Sequence, residues 1–407
     1  MNKVIYNKKI KYYKKQKNNT KINKYLKKLG IKEIELMNEP LVGGDYEQIN
    51  FNKRSQIFRV KNEPLKIYNL INEEELGSGT HGFVNMYDLV LDGIELMTVV
   101  TKEFENNESY LIEKDIYFRF KIKNIEGDIN SKLLFYSDEY KILIFKYLGE
   151  TLNNIPIQRF SMKRRLKMVE NILNENFKLM MANFIHNDIK LSNISYDTKM
   201  NKVSMIDYGL SFDIHINQFE YLDSTYVSLS NFYLEIYNLI DKLEIHKKQG
   251  TMTHKIHEQS FKKYKDYAFK SQLYTLGILS ACIIIGNFNY INIESFEEYF
   301  GDQKFEPLLE RLSGFTSVNC KQYILDIEND MQEKLQKMNT NGISHENISN
   351  LIKFLCNLGY WNEFDYTSEY EKYNIGGNET LKQYNEPNDN LMMLSNLIRI
   401  IKSLIKH

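Results

Sequence analysis

Residues 184–209 constrain the fold of this 407-residue chain more than any other stretch. Short apolar segments alternate there with polar turns, and this pattern predicts two brief strands joined by a turn at residues 197–202. Polar side chains stand at the ends of these predicted strands: Asp188, Lys190 and Asn193 before the turn, and Asp207 after it. We therefore expect the strands to bring two acids, an amide and a lysine to one place.

These residue types suit phosphoryl transfer. Asn193 and Asp207 offer the oxygen ligands that a hard cation such as Mg²⁺ prefers. Lys190 can neutralise phosphate oxygens, and Asp188 can accept the proton of a hydroxyl nucleophile. The spacing H-x-D-x-K-x-x-N followed by D-x-G is a known pattern of phosphoryl-transfer sites. The simpler alternative for Asp188 and Asn193 is turn capping.

Three glycines further upstream have the spacing G-x-G-x-x-G: Gly77, Gly79 and Gly82. Alone they would mark a tight hairpin, because glycine tolerates positive φ. Val84 opens a predicted strand, the Asp92-Gly93 pair predicts a hairpin turn, and a second strand ends at Lys102. A dinucleotide-binding glycine motif needs a helix directly after it. The strands instead favour a glycine-rich hairpin that covers a nucleotide, followed by a strand lysine.

Helical spacing predicts a helix over residues 107–123, and Glu113 lies on it. A lone glutamate there would ordinarily be a surface residue. Because Lys102 precedes it, we expect Glu113 to form an ion pair that aims this lysine at the α- and β-phosphates of a nucleotide.

The rest of the chain is predicted to be mainly helical. Ser161 is expected to cap a long core helix that leads to Phe184. Residues 267–285 are apolar nearly all round and predict a buried central helix, whereas residues 231–266 are interpreted as a polar insertion with some helix. Residues 391–406 predict an amphipathic helix that either docks on the folded body or lies on a membrane surface.

The charge is zero overall but unevenly distributed, since residues 1–32 hold twelve lysines and no acid. This arm is expected to be solvated or disordered, or to contact a polyanion such as nucleic acid or an acidic membrane. The three cysteines are far apart, which argues against zinc or redox chemistry. The N-terminus lacks the apolar core of a signal peptide, and the longest apolar run, residues 276–286, is short for a bilayer.

These motifs together resemble a eukaryotic-type protein kinase over roughly residues 70–290. The chain is most similar to the branch that holds casein kinase one and the vaccinia-related kinases. R-F-S-M-K at 159–163 and N-F-I-H-N-D-I-K at 183–190 stand at two ends of one helix, as in casein kinase one. L-G-E-T-L at 148–152 is similar to the Leu-Gly hinge exit of that branch.

Two further motifs resemble the vaccinia-related kinases. E-K-D-I-Y at 113–117 matches their Glu-x-x-x-Tyr, and Asp207-Tyr208-Gly209 replaces the usual Asp-Phe-Gly as it does in them. The resemblance implies an α+β, bilobal protein-kinase-like fold with a small β-rich N-lobe and a large helical C-lobe. It also implies Mg²⁺ and ATP as cofactors, and adenine recognition by the backbone of Lys146 and Leu148, with Phe145 at the back of the pocket.

The resemblance divides the chain into four parts. We expect a basic, partly disordered extension at 1–68, an N-lobe at 69–147, a C-lobe at 148–363 with the insertion near 231–266, and a C-terminal tail at 364–407. The expected protein is a monomer without a transmembrane segment. It would be intracellular, in cytoplasm or nucleus, or in a host cell if the source is viral.

The chain departs from the kinase pattern at three places. Asn187 replaces the usual arginine before the catalytic aspartate, the Ala-Pro-Glu motif is missing, and Gln272 replaces a buried aspartate. The predicted function is a Ser/Thr protein kinase. One alternative is a pseudokinase, a binding or scaffold protein, which should lack at least one of four polar residues: Lys102, Asp188, Asn193 and Asp207. The other is a small-molecule phosphotransferase of kinase-like fold, and Lys190 argues against it.

Overall fold

A computed structural model of the chain describes residues 47–79, 82–123, 133–214, 231–288, 317–359 and 389–406. It forms two compact units, residues 1–147 and residues 148–407. The basic arm at 1–32 lies outside the described residues.

The first unit is built on a closed barrel of seven strands in the order β1-β2-β3-β4-β5-β7-β6. Its strands are β1 (Glu47–Asn52), β2 (Ile57–Val60), β3 (Glu63–Gly79), β4 (Gly82–Leu91), β5 (Ile94–Phe104), β6 (Leu133–Ser137) and β7 (Ile142–Lys146). Neighbouring strands are antiparallel except for β1 and β6, which pair in parallel and close the barrel. Closure removes the exposed edges that an open sheet would present.

Apolar side chains fill the interior of the barrel. Alternate residues of β4 and β5, among them Tyr87, Leu89 and Val99, point inward. The neighbouring strands β2 and β3 contribute a directly opposed, stacked pair, Phe58 and Tyr68, with ring centroids 5.0 Å apart. A small barrel filled in this way is a packed core without room for a ligand.

The folded part of this unit begins before the predicted position near Tyr68. Strands β1 and β2 precede that residue, and Phe51 and Phe58 are buried in the barrel core. The expectation of an extension over 1–68 is therefore wrong for residues 47–68. The apolar segments there are short and interrupted by polar residues, so the sequence pattern did not predict β1 and β2. These strands are identified by their pairing with β6 and β3.

The predicted hairpin turn and helix are both present in the first unit. Asp92 and Gly93 have φ of 51° and 80°, the left-handed pair that a two-residue hairpin requires. Helix α1 (Asn107–Ile122) begins at Asn106, whose side chain accepts a hydrogen bond from the Ser109 N–H. It buries Tyr110, Glu113, Ile116, Tyr117 and Phe120.

The second unit contains helices and two small sheets. The helices are α2 (Met162–Met181), α3 (Asn231–Lys248), α4 (His254–Ile285), α5 (Ser317–Gln336), α6 (His345–Cys356) and α7 (Asp389–Lys406). The strands are β8 (Glu150–Thr151), β9 (Phe184–Ile185), β10 (Ile194–Asp197), β11 (Lys202–Met205) and β12 (Phe212–Asp213). They form a sheet of order β11-β10-β8 and a pair β12-β9. The predicted strands on either side of residues 197–202 are thus β10 and β11.

Helix α2 leads the chain into the region of interest. Ser161 caps it by accepting a hydrogen bond from the Arg164 N–H, as its sequence predicts. Its buried face packs against α4, β11 and α7. At its N-terminal end the buried Arg165 guanidinium donates to the carbonyls of Gln158, Phe160 and Ile284, which joins α2 to the end of α4.

Helix α4 is longer than the predicted central helix, because it begins at His254 rather than near residue 267. It is long and apolar enough to cross a membrane, but 89% of its most apolar 18-residue stretch is buried within the protein. Such burial is typical of the core helix of a soluble domain. Its first half packs with α3, so most of the predicted insertion at 231–266 is a helical pair. Helix α7 docks on α2 through residues such as Leu394, Leu397 and Ile401, which are fully buried.

Candidate active site

The first unit contains the predicted ion pair between Lys102 and Glu113. Lys102 Nζ lies 2.6 Å from Glu113 Oε2, and the two side chains are 10% and 2% exposed. The lysine nitrogen also lies 5.2 Å from the centre of the Phe104 ring. Strand β5 and helix α1 thus hold the lysine in one place, with its charge balanced by a buried carboxylate.

Lys102 stands in a row of residues that crosses four strands. Gly77 of β3 is opposite Val84 of β4, Val84 is opposite Lys102, and Lys102 is opposite Leu143 of β7. Side chains directly opposite one another lie on the same face of a sheet. The barrel core takes the alternate residues of these strands, so Val84 and Lys102 belong to the outer face.

The glycines of the motif stand where β3 turns into β4. Gly79 pairs with Gly82 at the end of the hairpin, and residues 80–81 lie outside the described residues. A Cβ on Gly82 would lie 1.9 Å from the carbonyl oxygen of Glu103, so this position requires glycine for close strand packing. Glycine at 82 therefore has a structural reason beside its predicted nucleotide-covering role.

In the second unit, Asp188, Lys190 and Asn193 converge within one short loop. Lys190 Nζ lies 2.9 Å from Asp188 Oδ2. Asn193 Nδ2 donates to the same Oδ2 at 2.6 Å and to the Asp188 carbonyl at 2.9 Å. Because these contacts use Oδ2 of the aspartate and Nδ2 of the asparagine, Asp188 Oδ1 and Asn193 Oδ1 remain as acceptors for an outside hydroxyl or cation.

Asp207 is brought to the same end of the β10–β11 hairpin as Asn193. Ile194 pairs with Met205, and the Ile206 N–H donates to the Asn193 carbonyl at 2.9 Å. Asp207 follows directly, is half-buried and has φ of 60°. Left-handed backbone is uncommon outside glycine and concentrates at functional sites. The hairpin register therefore explains how residues distant in sequence meet.

The buried His186 contacts the backbone of this loop and of the segment before Asp207. Its side chain is fully buried, its Nε2 lies 3.2 Å from the Ile206 carbonyl, and its Nδ1 accepts the Asp188 N–H at 3.4 Å. Burial lowers the pKa of the imidazole, which favours the neutral ring that can accept this bond. Asn187 has φ of 62°, a conformation that asparagine adopts more readily than most residues.

Gln272 supports the loop by a neutral hydrogen bond. Its Oε1 accepts the backbone N–H of His186 at 2.7 Å, and its Nε2 donates to Asn176 Oδ1 at 3.4 Å. The sequence places Gln272 where the kinases it resembles have a buried aspartate, but it identifies no partner for the side chain. It did not indicate Asn176 or its neighbour Glu175, although both lie among apolar residues on the buried face of α2, which was a signal of buried polar contacts.

The predicted adenine-binding positions lie at and just after the end of strand β7. Lys146 pairs with Val99 at the end of β7, and the Tyr147 N–H donates to the Thr98 carbonyl at 3.2 Å. Phe145 is buried, with its ring centre 5.1 Å from that of Tyr117. The roles of Lys146 and Leu148 stay predictions.

The residues in the second unit fit a magnesium ion bound together with phosphates. Mg²⁺ takes one or two carboxylates and completes its shell with water and phosphate oxygens. Asp207 and the Asn193 amide oxygen match this small donor set. Accordingly, no cluster of three or more His, Cys, Asp or Glu side chains suited to a metal occurs among the described residues.

The comparisons with known proteins agree with a kinase-like relationship. The chain is 25% identical over 142 residues to "Probable serine/threonine-protein kinase fnkB" from Dictyostelium discoideum. This match covers 34% of the chain and 27% of that relative. The chain matches no family model. A part of this chain is thus similar to a probable Ser/Thr protein kinase, which supports a kinase-like relationship.

Proposed function

We propose that this protein is a Ser/Thr protein kinase that transfers the γ-phosphoryl group of ATP to protein hydroxyls. The observation that carries the proposal is the convergence of Asp188, Lys190 and Asn193 in one loop, with Asp207 at the same end of the adjoining hairpin. The buried Lys102–Glu113 pair of the first unit supports it. Under this proposal the two units are the small β-rich N-lobe and the large helical C-lobe of a bilobal α+β kinase fold.

Each residue has a distinct role in the proposed reaction. Asp188 accepts the proton of the attacking hydroxyl, while its hydrogen bonds from Asn193 and Lys190 hold the carboxylate in one orientation. Lys190 neutralises the γ-phosphate, and Asn193 and Asp207 hold Mg²⁺. The bound Mg²⁺ supplies charge neutralisation at the phosphates.

The first unit contributes nucleotide binding. Lys102 is held in one orientation by Glu113, so its ammonium group can bind the α- and β-phosphates. The hairpin of Gly77, Gly79 and Gly82 covers the phosphates, and Val84, which neighbours Lys102 on the sheet, packs on the nucleotide. The backbone of Lys146 and Leu148 reads the adenine edge. ATP and Mg²⁺ are thus the proposed cofactors.

Within the kinases we propose the branch of casein kinase one and the vaccinia-related kinases. The support is local: Ser161 caps the start of α2, Asn183 opens the second shared motif just after the end of α2, and Tyr208 follows the proposed metal-binding aspartate. Tyr208 is fully buried, with its ring 4.8 Å from that of His186.

Two alternatives differ in observable outcome. A pseudokinase would bind a nucleotide or a partner without transfer, and a small-molecule phosphotransferase would phosphorylate sugars or amines instead of protein. The intact set of Lys102, Asp188, Asn193 and Asp207 argues against the first. Lys190, two residues after the proposed base, argues against the second.

The deciding experiment is a transfer assay with the purified full chain. Labelled ATP and Mg²⁺ are supplied with casein or with a panel of small-molecule acceptors, and Asp207→Asn serves as the control variant. We expect label on serine and threonine of casein, abolished in the control. Label on small molecules alone would favour the phosphotransferase, and nucleotide binding without any transfer would favour the pseudokinase.

The basic arm at residues 1–32 is proposed to bind polyanions. Twelve lysines without an acid should give binding that weakens steeply with salt. Deleting the arm should reduce retention on heparin or DNA at low salt and leave transfer to a short peptide unchanged. Equal retention with and without the arm would contradict this role.

A further inference from the structure

Two adjacent polar residues of helix α2 have no place in the proposed chemistry. Glu175 and Asn176 are 3% and 0% exposed. A buried carboxylate is costly unless hydrogen bonds satisfy it. Their partners therefore indicate why they occur in the core of this unit.

Glu175 binds the strand that leads to Asp207. Its Oε2 accepts the backbone N–H of Met205 at 2.9 Å. Strand β11 is the edge of its sheet, with β10 on one side only, so N–H groups on the other side need a partner from elsewhere. Met205 is fully buried, and the carboxylate meets that need two residues before Asp207.

Asn176 binds the segment that leads to Asp188, through Gln272. Asn176 Nδ2 donates to the Ile172 carbonyl at 3.0 Å, which leaves its Oδ1 to accept from Gln272 Nε2 at 3.4 Å. Gln272 Oε1 then accepts the His186 N–H at 2.7 Å. Donors and acceptors alternate along this chain, so each amide has one consistent orientation.

We propose that Glu175 and Asn176 are positioning residues that set both proposed catalytic acids from one turn of α2. Glu175 fixes the backbone two residues before Asp207. Asn176, acting through Gln272, fixes the backbone two residues before Asp188. A helix packed on several sides is a rigid support for such a constellation. The inference rests on the proposed function for its consequences in catalysis, but its contacts can be tested separately.

The two branches should affect different measurements. The Glu175 branch places the proposed metal ligand, and loss of such an outer contact typically weakens metal affinity about 10–100-fold. The Asn176–Gln272 branch places the proposed base, and a displacement of about 1 Å can lower the rate about 10²-fold. Loss of the first should weaken Mg²⁺-dependent ADP binding, and loss of the second should lower kcat with that affinity retained.

The experiment uses full-length variants of similar side-chain size. Glu175→Met and Gln272→Met each remove one acceptor, while Glu175→Gln keeps an oxygen for the Met205 N–H. Glu170→Met is the matched control, since Glu170 is buried on the same helix and pairs with Lys167 and Lys402 instead. Titration calorimetry measures ADP affinity with and without Mg²⁺, and steady-state assays give kcat.

We expect Mg²⁺-dependent ADP affinity to fall about 10–100-fold in Glu175→Met and to recover largely in Glu175→Gln. Gln272→Met should keep the affinity and lose kcat about 10²-fold. Wild-type affinity in Glu175→Met, or wild-type kcat in Gln272→Met, would overturn the corresponding branch. If Glu175→Met does not fold, Glu175→Asp decides, because it draws the carboxylate back by one methylene.

Amide hydrogen exchange separates this inference from the proposed function. Exchange at Met205 should accelerate in the Glu175 variant and exchange at His186 in the Gln272 variant, with neither changed in Glu170→Met. This result would support the positioning contacts even if the wild-type protein showed no transfer. Unchanged exchange at both amides would overturn the inference even if the protein proved to be a kinase.

Discussion

The two units hold their candidate functional groups in opposite ways. In the first, Lys102 and Glu113 form a buried ion pair whose side chains are 10% and 2% exposed. In the second, Lys190 and Asp188 are more open, at 26% and 11%, and the loop that carries them is fixed by neutral bonds from Gln272 and Asn193.

This difference in burial determines whether a substitution can remove activity without also lowering stability. Removing one partner of a buried pair leaves an uncompensated charge in the core, which costs stability as well as activity. Asp188 is partly exposed, so its charge can be removed without leaving a buried charge in the core, and its loss should affect chemistry more than stability. The loop of the second unit is therefore expected to tolerate charge changes that the first unit does not.

The largest expected effect is on the rate of Asp188→Asn. Losing a general base typically costs about 10²–10⁴-fold, while the asparagine amide oxygen can turn to accept from Asn193 and Lys190 and should leave the fold intact. Initial rates on casein and thermal unfolding measure the two properties. Asp197→Asn is the control, because Asp197 caps the β10–β11 turn through the Lys199 and Met200 N–H groups.

A rate in Asp188→Asn close to that of the control would show that the base is assigned wrongly. A large fall in melting temperature would show instead that this loop resembles the first unit, and the contrast between the units would fail.

The second prediction concerns Lys102→Met. It leaves Glu113 buried without its main cation and should destabilise the first unit by about 3–5 kcal/mol. The double variant Lys102→Met/Glu113→Leu should recover most of that stability, because both charges are then gone, but it should not recover ATP binding. Chemical denaturation and nucleotide titration report the two results.

The exposed pair Arg119–Asp115 on the same helix provides the control. Asp115→Asn should change stability by less than about 1 kcal/mol, since surface pairs contribute little. If the double variant were as unstable as the single one, the buried charges would not be the cause.

Local patterns in the sequence predicted much of this architecture. The Asp92-Gly93 turn, the Ser161 cap and the β10–β11 hairpin each depend on neighbouring residues, whose preferences the sequence states directly. The Lys102–Glu113 pair was also predicted, because motif spacing placed a lysine on a strand and a glutamate on the following helix.

Features that depend on distant pairing were not predicted. Barrel closure requires β1 to pair with β6, which no local pattern encodes. The bond from Glu175 to Met205 and the chain from Asn176 to His186 likewise join residues on separate elements. A polar residue among the apolar residues of a buried helix face signals that a partner exists, but only the packing of the elements identifies that partner.

The third prediction concerns the pH dependence of stability that the neutral, buried His186 of the second unit should cause. Burial lowers the pKa of the folded imidazole below its ordinary value of 6.5. Below pH 6.5 the unfolded chain therefore binds a proton that the folded chain does not, and stability falls as pH falls. The slope from one such group is at most about 1.4 kcal/mol per pH unit.

Urea unfolding of the wild type and of His186→Gln at pH 7.5, 6.5 and 5.5 measures this slope. We expect the wild type to lose stability between pH 6.5 and 5.5 and the variant to lose less, since glutamine does not titrate. If the stability of the two proteins fell equally between pH 6.5 and 5.5, protonation of His186 would not be the cause of the loss.

The smallest predicted effect compares one helix cap in each unit. Asn106 caps α1 and Ser161 caps α2, each through one hydrogen bond to a backbone N–H. Replacing either by alanine should cost about 1 kcal/mol. Helix α1 buries five residues, whereas α2 buries twelve, so α2 is the more deeply integrated element. Asn106→Ala should therefore loosen α1 locally and Ser161→Ala should lower the stability of the whole second unit.

Hydrogen exchange distinguishes these outcomes, because local opening and global unfolding expose different sets of amides to exchange. In Asn106→Ala, faster exchange should be confined to the first turns of α1. In Ser161→Ala it should extend to α4 and β11, which pack on α2. Since Glu113 lies on α1, local loosening should also weaken nucleotide binding slightly, whereas Ser161→Ala should not. Local exchange in both variants would mean that α2 does not link the second unit in the way its burial indicates.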